Sequence, residues 1–586
     1  MKALVFKGLA IALPVVVLLC IEVALRLAGV GDFRRAPFQP IPAQESAVAL
    51  DPDYGQMFFK GFQPGVAFDP LDAEKSGEAL RILALGGSTT AGFPYSWYYS
   101  FPARLEDQLA IALPGRHVEV ANLGMTATNS FTLWALSEPV AAQQPDAVLI
   151  YSGHNEYYGA YGPAGTQGWT GTSVGLKRFL IGASTWGLVT GLSGLVAEEP
   201  SSERRTMMAR VVRDASVELG GDVYAAGLAQ YEANLRDALR QLERAHIPVF
   251  LATLTSNLAG QAPLGDEPDA LAAYERGLRQ LAAGDTAAAR IDVLAAKEGD
   301  GLRFRAPEAL NAVIRQLADE FSNVTLVDVQ AAFQAASPGG LEGATLFTDH
   351  LHPNARGYAL MADAFASAMH ETLPDLRGVS PASPAPSEVD PVEAGLAHLQ
   401  LAVLMNGYPF RKDRTPDEAE TIARAQADSL AQTGRVPDAL AVQVVLEGMP
   451  LPNALNAAIQ DARAVPDTLS TLQLYDALLH WQPFNDELME TAVSYAIQAP
   501  TYDAETARLA RYAALHSDGP FSLNALAAIA LRQRDVERAD ALLAAVEQIA
   551  PESPEMLFNR ARLLVMQGDT LAARSYFERY QAVAQP

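Results

Sequence analysis

Between Arg81 and Asp328 the chain repeats one pattern: a short apolar run, a turn, then a longer helical stretch. The runs lie at 81–85, 118–122, 147–151, 249–254 and 324–328. Each is too short for a buried helix and suits a strand covered on both faces. Helical patterns fall between and after them, at about 97–112, 128–142, 226–245 and 355–371. Such alternation predicts a parallel sheet with helices on both faces. Ligands of these sheets bind beyond the carboxyl ends of the strands. Three of the five runs end there in glycine-containing turns, at Gly86 and Gly87, at Gly124 and at Gly153.

A chain of 586 residues is too long for one core, so further domains are expected. Forty-three Lys and Arg against 68 Asp and Glu give a net charge of −25, which argues against a nucleic-acid partner. A single cysteine excludes an intramolecular disulfide and a thiolate zinc cluster. The nine histidines form no HExxH, and neither a metal nor a cofactor is expected.

Residues 1–30 read as a membrane address. Lys2 and Lys7 precede an apolar run from Gly8 to Ile21, which reaches spanning length as 8–29 only by including Glu22 and Arg26. Those two are four apart on a helix and can pair or reach the interface. A signal anchor is the leading reading. A cleaved signal peptide and a lipoprotein lipidated at Cys20 are the alternatives, although Leu19 stands where Gly or Ala normally precedes a lipidated cysteine. The basic residues Arg26, Arg34 and Arg35 weaken the charge asymmetry. The expectation is a single-pass protein of the cell membrane with its bulk outside the cytoplasm, periplasmic if the cell is Gram-negative.

Residues 31–75, rich in Pro, Gly and Phe, read as an extended connection to a domain at 76–376. Two insertions interrupt that domain, at about 160–222 and 262–320, the second containing a helical hairpin. The first is either a lid or surface decoration. Residues 377–391 form a Pro/Ser/Ala linker. Residues 392–586 are Ala/Leu-rich and helical without strand signals. Leu531 to Asp535, followed by Ala539, is echoed 34 residues later by Val565 to Asp569, followed by Ala573. That period resembles the tetratricopeptide repeat, whose stacked units present surfaces to protein partners. The stretch from Gly284 to Arg290 differs at one position from that between Gly568 and Arg574, so the inserted hairpin carries the same signature.

The chemistry sits at the strand ends. Gly86-Gly87-Ser88-Thr89-Thr90 puts a serine after the first strand, at a helix start. Asn122-Leu123-Gly124 ends the second, and Gly153-His154-Asn155-Glu156 the third. Near the domain end, Asp349 and His352 are three apart, so the carboxylate can accept from imidazole Nδ1–H and leave Nε2 as a base. These features, in order over about 81–372, resemble the four blocks of the SGNH/GDSL hydrolase superfamily. The resemblance implies a flavodoxin-like three-layer α/β/α domain. It also implies a Ser88, His352, Asp349 triad, with an oxyanion hole formed by the Ser88 and Gly124 N–H groups and the Asn155 side chain. Gly87 replaces the usual Asp of the first block, and Glu156 the Asp of the third, so the branch is divergent.

Other residues admit two readings. His154 either contacts substrate or makes a structural hydrogen bond. Tyr157, Tyr158 and Tyr161 either stack on sugar or pack. Arg303 and Arg305, flanking Phe304, share a face if extended and either clamp an anionic substrate or form ion pairs. His350 beside His352 could pair on a metal, but no third ligand suggests itself. Trp97, Tyr98 and Tyr99 read as helix packing. The implied function is a serine esterase or deacylase acting on O-acyl, chiefly acetyl, esters of a small molecule or polysaccharide. One alternative is an O-acyltransferase for a cell-envelope polysaccharide using the same triad. Another is a non-catalytic scaffold binding proteins through 392–586.

Overall fold

The computed structural model describes residues 2–28, 36–42, 44–59, 63–113, 116–184, 186–187, 208, 211–379, 388–499, 501–516 and 520–584. Residues 380–387 of the expected linker, and 188–207 of the first insertion, lie outside them.

Strands β4 (Leu80–Gly86), β5 (Val118–Asn122), β6 (Ala147–Tyr151), β7 (Val249–Ala252) and β8 (Val324–Val327) form one sheet in the order β5-β4-β6-β7-β8. Every pair is parallel. In chain order this is 2-1-3-4-5, the flavodoxin-like arrangement, with its switch point between β4 and β6. All residues of β4 to β7 are buried, so the runs are mostly apolar, and the charges they carry, Arg81 and Glu119, pair with each other at 2.7 Å. At the edge, β8 keeps Val324 to Leu326 half-buried.

Helices α3 (Phe101–Ala112) and α11 (Ala355–Thr372) pack together, with Phe101 stacked on Phe365 at 5.0 Å. Helix α4 (Ser130–Ala142) packs against α6 (Asp222–Arg244), which also meets α9 (Glu308–Glu320). The order reversal places these two groups on opposite faces of the sheet, because parallel crossovers are right-handed.

Ahead of the sheet, in the expected extended connection, β1 (Phe38–Ile41), β2 (Gln44–Leu50) and β3 (Leu71–Asp72) form a three-stranded antiparallel sheet. Helices α7 (Pro268–Ala282) and α8 (Thr286–Gly299) form a hairpin between β7 and β8. Its turn carries Gly284 at φ +83, and Asp285 caps α8 by accepting from Ala288 N–H.

From α12 (Pro391–Asn406) onward the described chain is a succession of helices ending with Thr570–Ala584. Its core takes in Trp97, Tyr98 and Tyr99 of the sheet domain together with Val392, Leu396 and Leu478. Trp97 meets Trp481 at 4.6 Å between ring centroids, so these aromatics join two domains rather than pack within one.

At the N-terminus, α1 (Lys2–Leu27) carries exposed Leu13, Val16, Val17, Leu18, Leu19, Ile21, Val23 and Leu27, and the lone Cys20 is exposed too. Glu22 is buried and accepts from Gly187 N–H at 3.2 Å. Among the described residues no helix is long and apolar enough to cross a membrane, and the side chains of 8–29 are only partly among them.

Candidate active site

Ser88 opens α2 (Ser88–Ala91), directly after β4. Gly86 is obligatory in this turn: a Cβ there would lie 2.3 Å from the Tyr151 carbonyl oxygen and 2.0 Å from Thr90 Oγ1. The sharp strand-to-helix turn leaves Ser88 partly exposed at the carboxyl edge of the sheet, beside the switch point. Its N–H is among the first in α2, where no intrahelical acceptor exists.

The loop before α11 supplies the partners. Ser88 Oγ lies 2.8 Å from His352 Nε2, across 264 residues of sequence. His352 Nδ1 lies 2.7 Å from Asp349 Oδ2. Asp349 Oδ1 accepts from the Leu351 and His352 N–H groups at 2.8 and 2.7 Å. Burial pushes the Asp349 carboxyl up, but the neighbouring charges and hydrogen bonds of His352 and His350 outweigh it and hold it well below the usual range. The carboxylate therefore stays ionised and fixes the imidazole with Nε2 toward the serine.

The third strand end brings Asn155 to the same place. A Cβ on Gly87 would sit 3.2 Å from Asn155 Nδ2, so the amide hangs over the turn that carries the serine. One Nδ2 hydrogen goes to the Thr128 carbonyl at 3.2 Å, leaving the second for a ligand. Gly124 lies alongside α2, where a Cβ would meet Ala91 N at 2.4 Å. Its N–H, expected as an oxyanion donor, donates instead to Asn122 Oδ1 at 2.9 Å. Asn122 in turn donates to the Thr90 carbonyl at 2.7 Å and ties the second strand end to the nucleophile helix.

The remaining candidates are placed away from this cluster. His154 is buried, with Nδ1 accepting from Ala306 N–H at 3.1 Å and Nε2 3.2 Å from the Tyr151 hydroxyl. Burial first, then repulsion from His352 and His350, pushes it down to about 3, so it is a neutral structural group. Tyr157 is buried and donates to the Tyr224 carbonyl at 3.2 Å. Tyr158 is also buried and accepts from Arg303 N–H.

The anion-clamp reading of Arg303 and Arg305 is corrected by their surroundings. Arg303 donates to the Val217 and Glu298 carbonyls. Arg305 donates to the Asn257 and Gln261 carbonyls and pairs with Asp300 at 2.9 Å. Residues 301–305 form turns rather than a strand, so alternation does not give the two guanidiniums a common open face.

The sequence reading did not single out Phe93, and it noted Glu156 only as a departure from the family's third block. Phe93 lays its ring 4.6 Å from that of His352, and its carbonyl accepts from the Tyr358 hydroxyl at 2.6 Å. Glu156 is fully buried behind Asn155. It accepts from Ser130 N–H at 3.1 Å, Ser130 Oγ at 2.8 Å and Gln230 Nε2 at 2.6 Å. Burial pushes its carboxyl up to about 7 despite those bonds. The residue following Asn155 thus joins the third strand end to α4 and α6.

Asp349, His350 and His352 place three ligand-type atoms within 4.8 Å of one another. Their hydrogen bonds already engage both Asp349 oxygens and both His352 nitrogens, an arrangement suited to proton transfer rather than to a metal. A second group, Asp72, His117 and Glu119, has Arg81 Nε 2.7 Å from Glu119, and that resident cation disfavours another.

Residues 84–360 match the GDSL-like lipase/acylhydrolase family. Similar solved structures include a catalytic mutant of an acetylxylan esterase from Geobacillus stearothermophilus, 21% identical, with 50% of this chain and 94% of that chain covered and a TM-score of 0.28. Another acetyl xylan esterase is 16% identical, with 49% and 98% covered and a TM-score of 0.27. An alpha/beta hydrolase enzyme from the metagenome of Lake Arreo, Spain, is 19% identical, with 50% and 95% covered and a TM-score of 0.26. No curated protein matches the chain at a significant level.

Proposed function

We propose, for a chain that carries a serine ester hydrolase domain of the GDSL-like lipase/acylhydrolase family, that it removes O-acyl groups, chiefly acetyl, outside the cytoplasm. The observation that carries this reading is the continuous Ser88–His352–Asp349 relay, at 2.8 and 2.7 Å.

Ser88 Oγ attacks the ester carbonyl as His352 Nε2 takes its proton, and Asp349 stabilises the resulting imidazolium. The oxyanion faces Ser88 N–H and the second Asn155 Nδ2 hydrogen, with Gly124 N–H joining only if it leaves Asn122. The imidazolium then protonates the departing alkoxide. Water, deprotonated by the same nitrogen, attacks the acyl-enzyme and releases the acid. A sugar hydroxyl in place of that water would make the reaction an acyl transfer, the alternative outcome.

Residues 8–29 would hold the enzyme to the membrane, a reading supported by the exposed apolar side chains of α1. The tetratricopeptide-like helices would dock a protein partner. Exposed Phe558, Val565, Leu571 and Phe577 near their end support that role.

The test is release of p-nitrophenol from p-nitrophenyl acetate by the full chain, beside Ser88→Ala. A loss on the order of 10⁴-fold or more supports the reading; equal rates would sink it. Adding an O-deacetylated polysaccharide separates hydrolysis from transfer, since transfer puts the acetyl group on the sugar.

A further inference from the structure

The first helix of the helical region reaches both sides of the triad. Its N-terminus grips the loop that follows the nucleophile. Glu393, 1% exposed, accepts from Ser96 N–H at 3.3 Å and from the Tyr98 hydroxyl at 2.8 Å, and the Ser96 hydroxyl also donates to it. Asp390 accepts from the Tyr99 hydroxyl at 3.0 Å and caps α12 through the Val392 and Glu393 N–H groups.

The gripped loop is short and stiff. Gly92 and Phe93 N–H both donate to the Ser88 carbonyl at 3.0 Å, and Tyr95 N–H donates to the Gly92 carbonyl. A Cβ on Gly92, at φ +104, would meet the Ser96 carbonyl oxygen at 2.9 Å. Ser96 thus lies against Gly92, the neighbour of Phe93, whose ring packs on His352.

Just past the C-terminus of α12, Phe410 inserts into the sheet domain's core. Its ring stacks on Phe304 at 5.2 Å and meets His350 at 5.0 Å, next in sequence to Asp349. The helix and the turn that follows it thus span from the Ser96 loop to the Asp349 loop.

We infer that α12 is part of the catalytic apparatus, with Glu393 a positioning residue that holds the Phe93 loop against His352 and Phe410 a closure over the Asp349 side. This rests on the ester-hydrolase reading above. It also revises the simplest view of residues 392–586, in which their removal spares turnover of a small ester.

The experiment uses the full chain with p-nitrophenyl acetate, and exhaustive fluorophosphonate labelling counts competent sites. Ser88→Ala tests the underlying reading: without Ser88-dependent release in the wild type, both that reading and the inference fall. With it established, Glu393→Ala is expected to lower kcat per labelled site about 10-fold, with KM within about 2-fold. Glu393→Gln should restore most of it. An amide can accept from Ser96 N–H and donate to the two hydroxyls, and burial already pushes the Glu393 carboxyl toward its neutral form. A purely structural role would lower the number of labelled sites and leave kcat per site intact, which overturns the inference. Should Glu393→Ala not fold, Ser96→Ala and Tyr98→Phe each delete one bond to the same carboxylate. Both are expected to lower kcat per site about 2- to 5-fold, and wild-type values in both would refute it.

Discussion

Two buried carboxylates flank the site and behave in opposite ways. Asp349, on the acid side, is surrounded by two histidines and two backbone N–H groups, and its carboxyl is held low. Glu156, on the oxyanion side, is just as buried, yet the groups that hydrogen-bond to it, Ser130 and Gln230, are neutral. Its carboxyl is pushed up to about 7 by burial. Lys177 helps little, because burial pushes it down to about 8 while its ammonium donates to Gln230 and the Tyr161 carbonyl. Burial alone therefore does not set a carboxyl's charge. The partners differ: two ionisable imidazoles and two backbone N–H groups face Asp349, whereas neutral Ser130 and Gln230 make the hydrogen bonds to Glu156. On the proposed mechanism, the Asp349 side carries charge through the reaction cycle and the Glu156 side holds the Asn155 donor still.

That contrast can be broken at its charged end first. Asp349→Asn keeps the shape but removes the charge and the correct tautomer, and should lower kcat on the order of 10⁴-fold in the p-nitrophenyl acetate assay. Asn155→Ala removes one neutral donor and should cost roughly 10²- to 10³-fold in kcat, with KM little changed.

Glu156→Gln acts on stability instead. A carboxyl raised to about 7 in the fold binds its proton more tightly there than in the unfolded chain. Its stabilising contribution is present at low pH and lost as pH rises from about 4.5 through about 7. The glutamine variant should therefore gain on the wild type across that window, by roughly 3 kcal/mol in urea unfolding. A constant difference from pH 5 to pH 8 would show that the carboxyl stays ionised. Asp349 has the opposite sign, since its contribution is lost as pH falls below the ordinary carboxylate range. The smallest effect is expected at Tyr157→Phe, which deletes the bond to the Tyr224 carbonyl. About 1 kcal/mol of stability should be lost with KM unchanged, whereas a raised KM would put Tyr157 in contact with substrate.

The parallel sheet was legible because burial on both faces leaves its mark: β4 to β7 are largely apolar runs, and only the fourth, read to 254, outruns its strand, which ends at Ala252. Ser88, Asn155 and the Asp349/His352 pair were legible because strand ends and short spacings localise them. The small sheet β1 to β3 was not, since Pro40 and Pro42 disguise a pairing whose last strand is two residues long. Arg303 and Arg305 misled because their alternation means a shared face only in an extended chain. The bond between Ser96 and Glu393 joins positions 297 apart, and nothing local to either residue announces the other. The engagement of Gly124 N–H by Asn122 was within reach, two residues away, but the same short spacing suits a strand end whose N–H faces a ligand.

The separation of 264 positions between Ser88 and His352 has a consequence for how the molecule comes into being. During synthesis the serine leaves the ribosome long before its base exists, so no nascent fragment ending before residue 352 carries a relay. Closing so long a loop is slow rather than costly, because the entropy of closure grows only with the logarithm of its length. For the same reason the hairpin α7–α8 could be set between β7 and β8 at a small penalty. Hydrolysis by this protein would then appear only once the sheet is complete from β4 to β8 and the loop carrying His352 has docked on it.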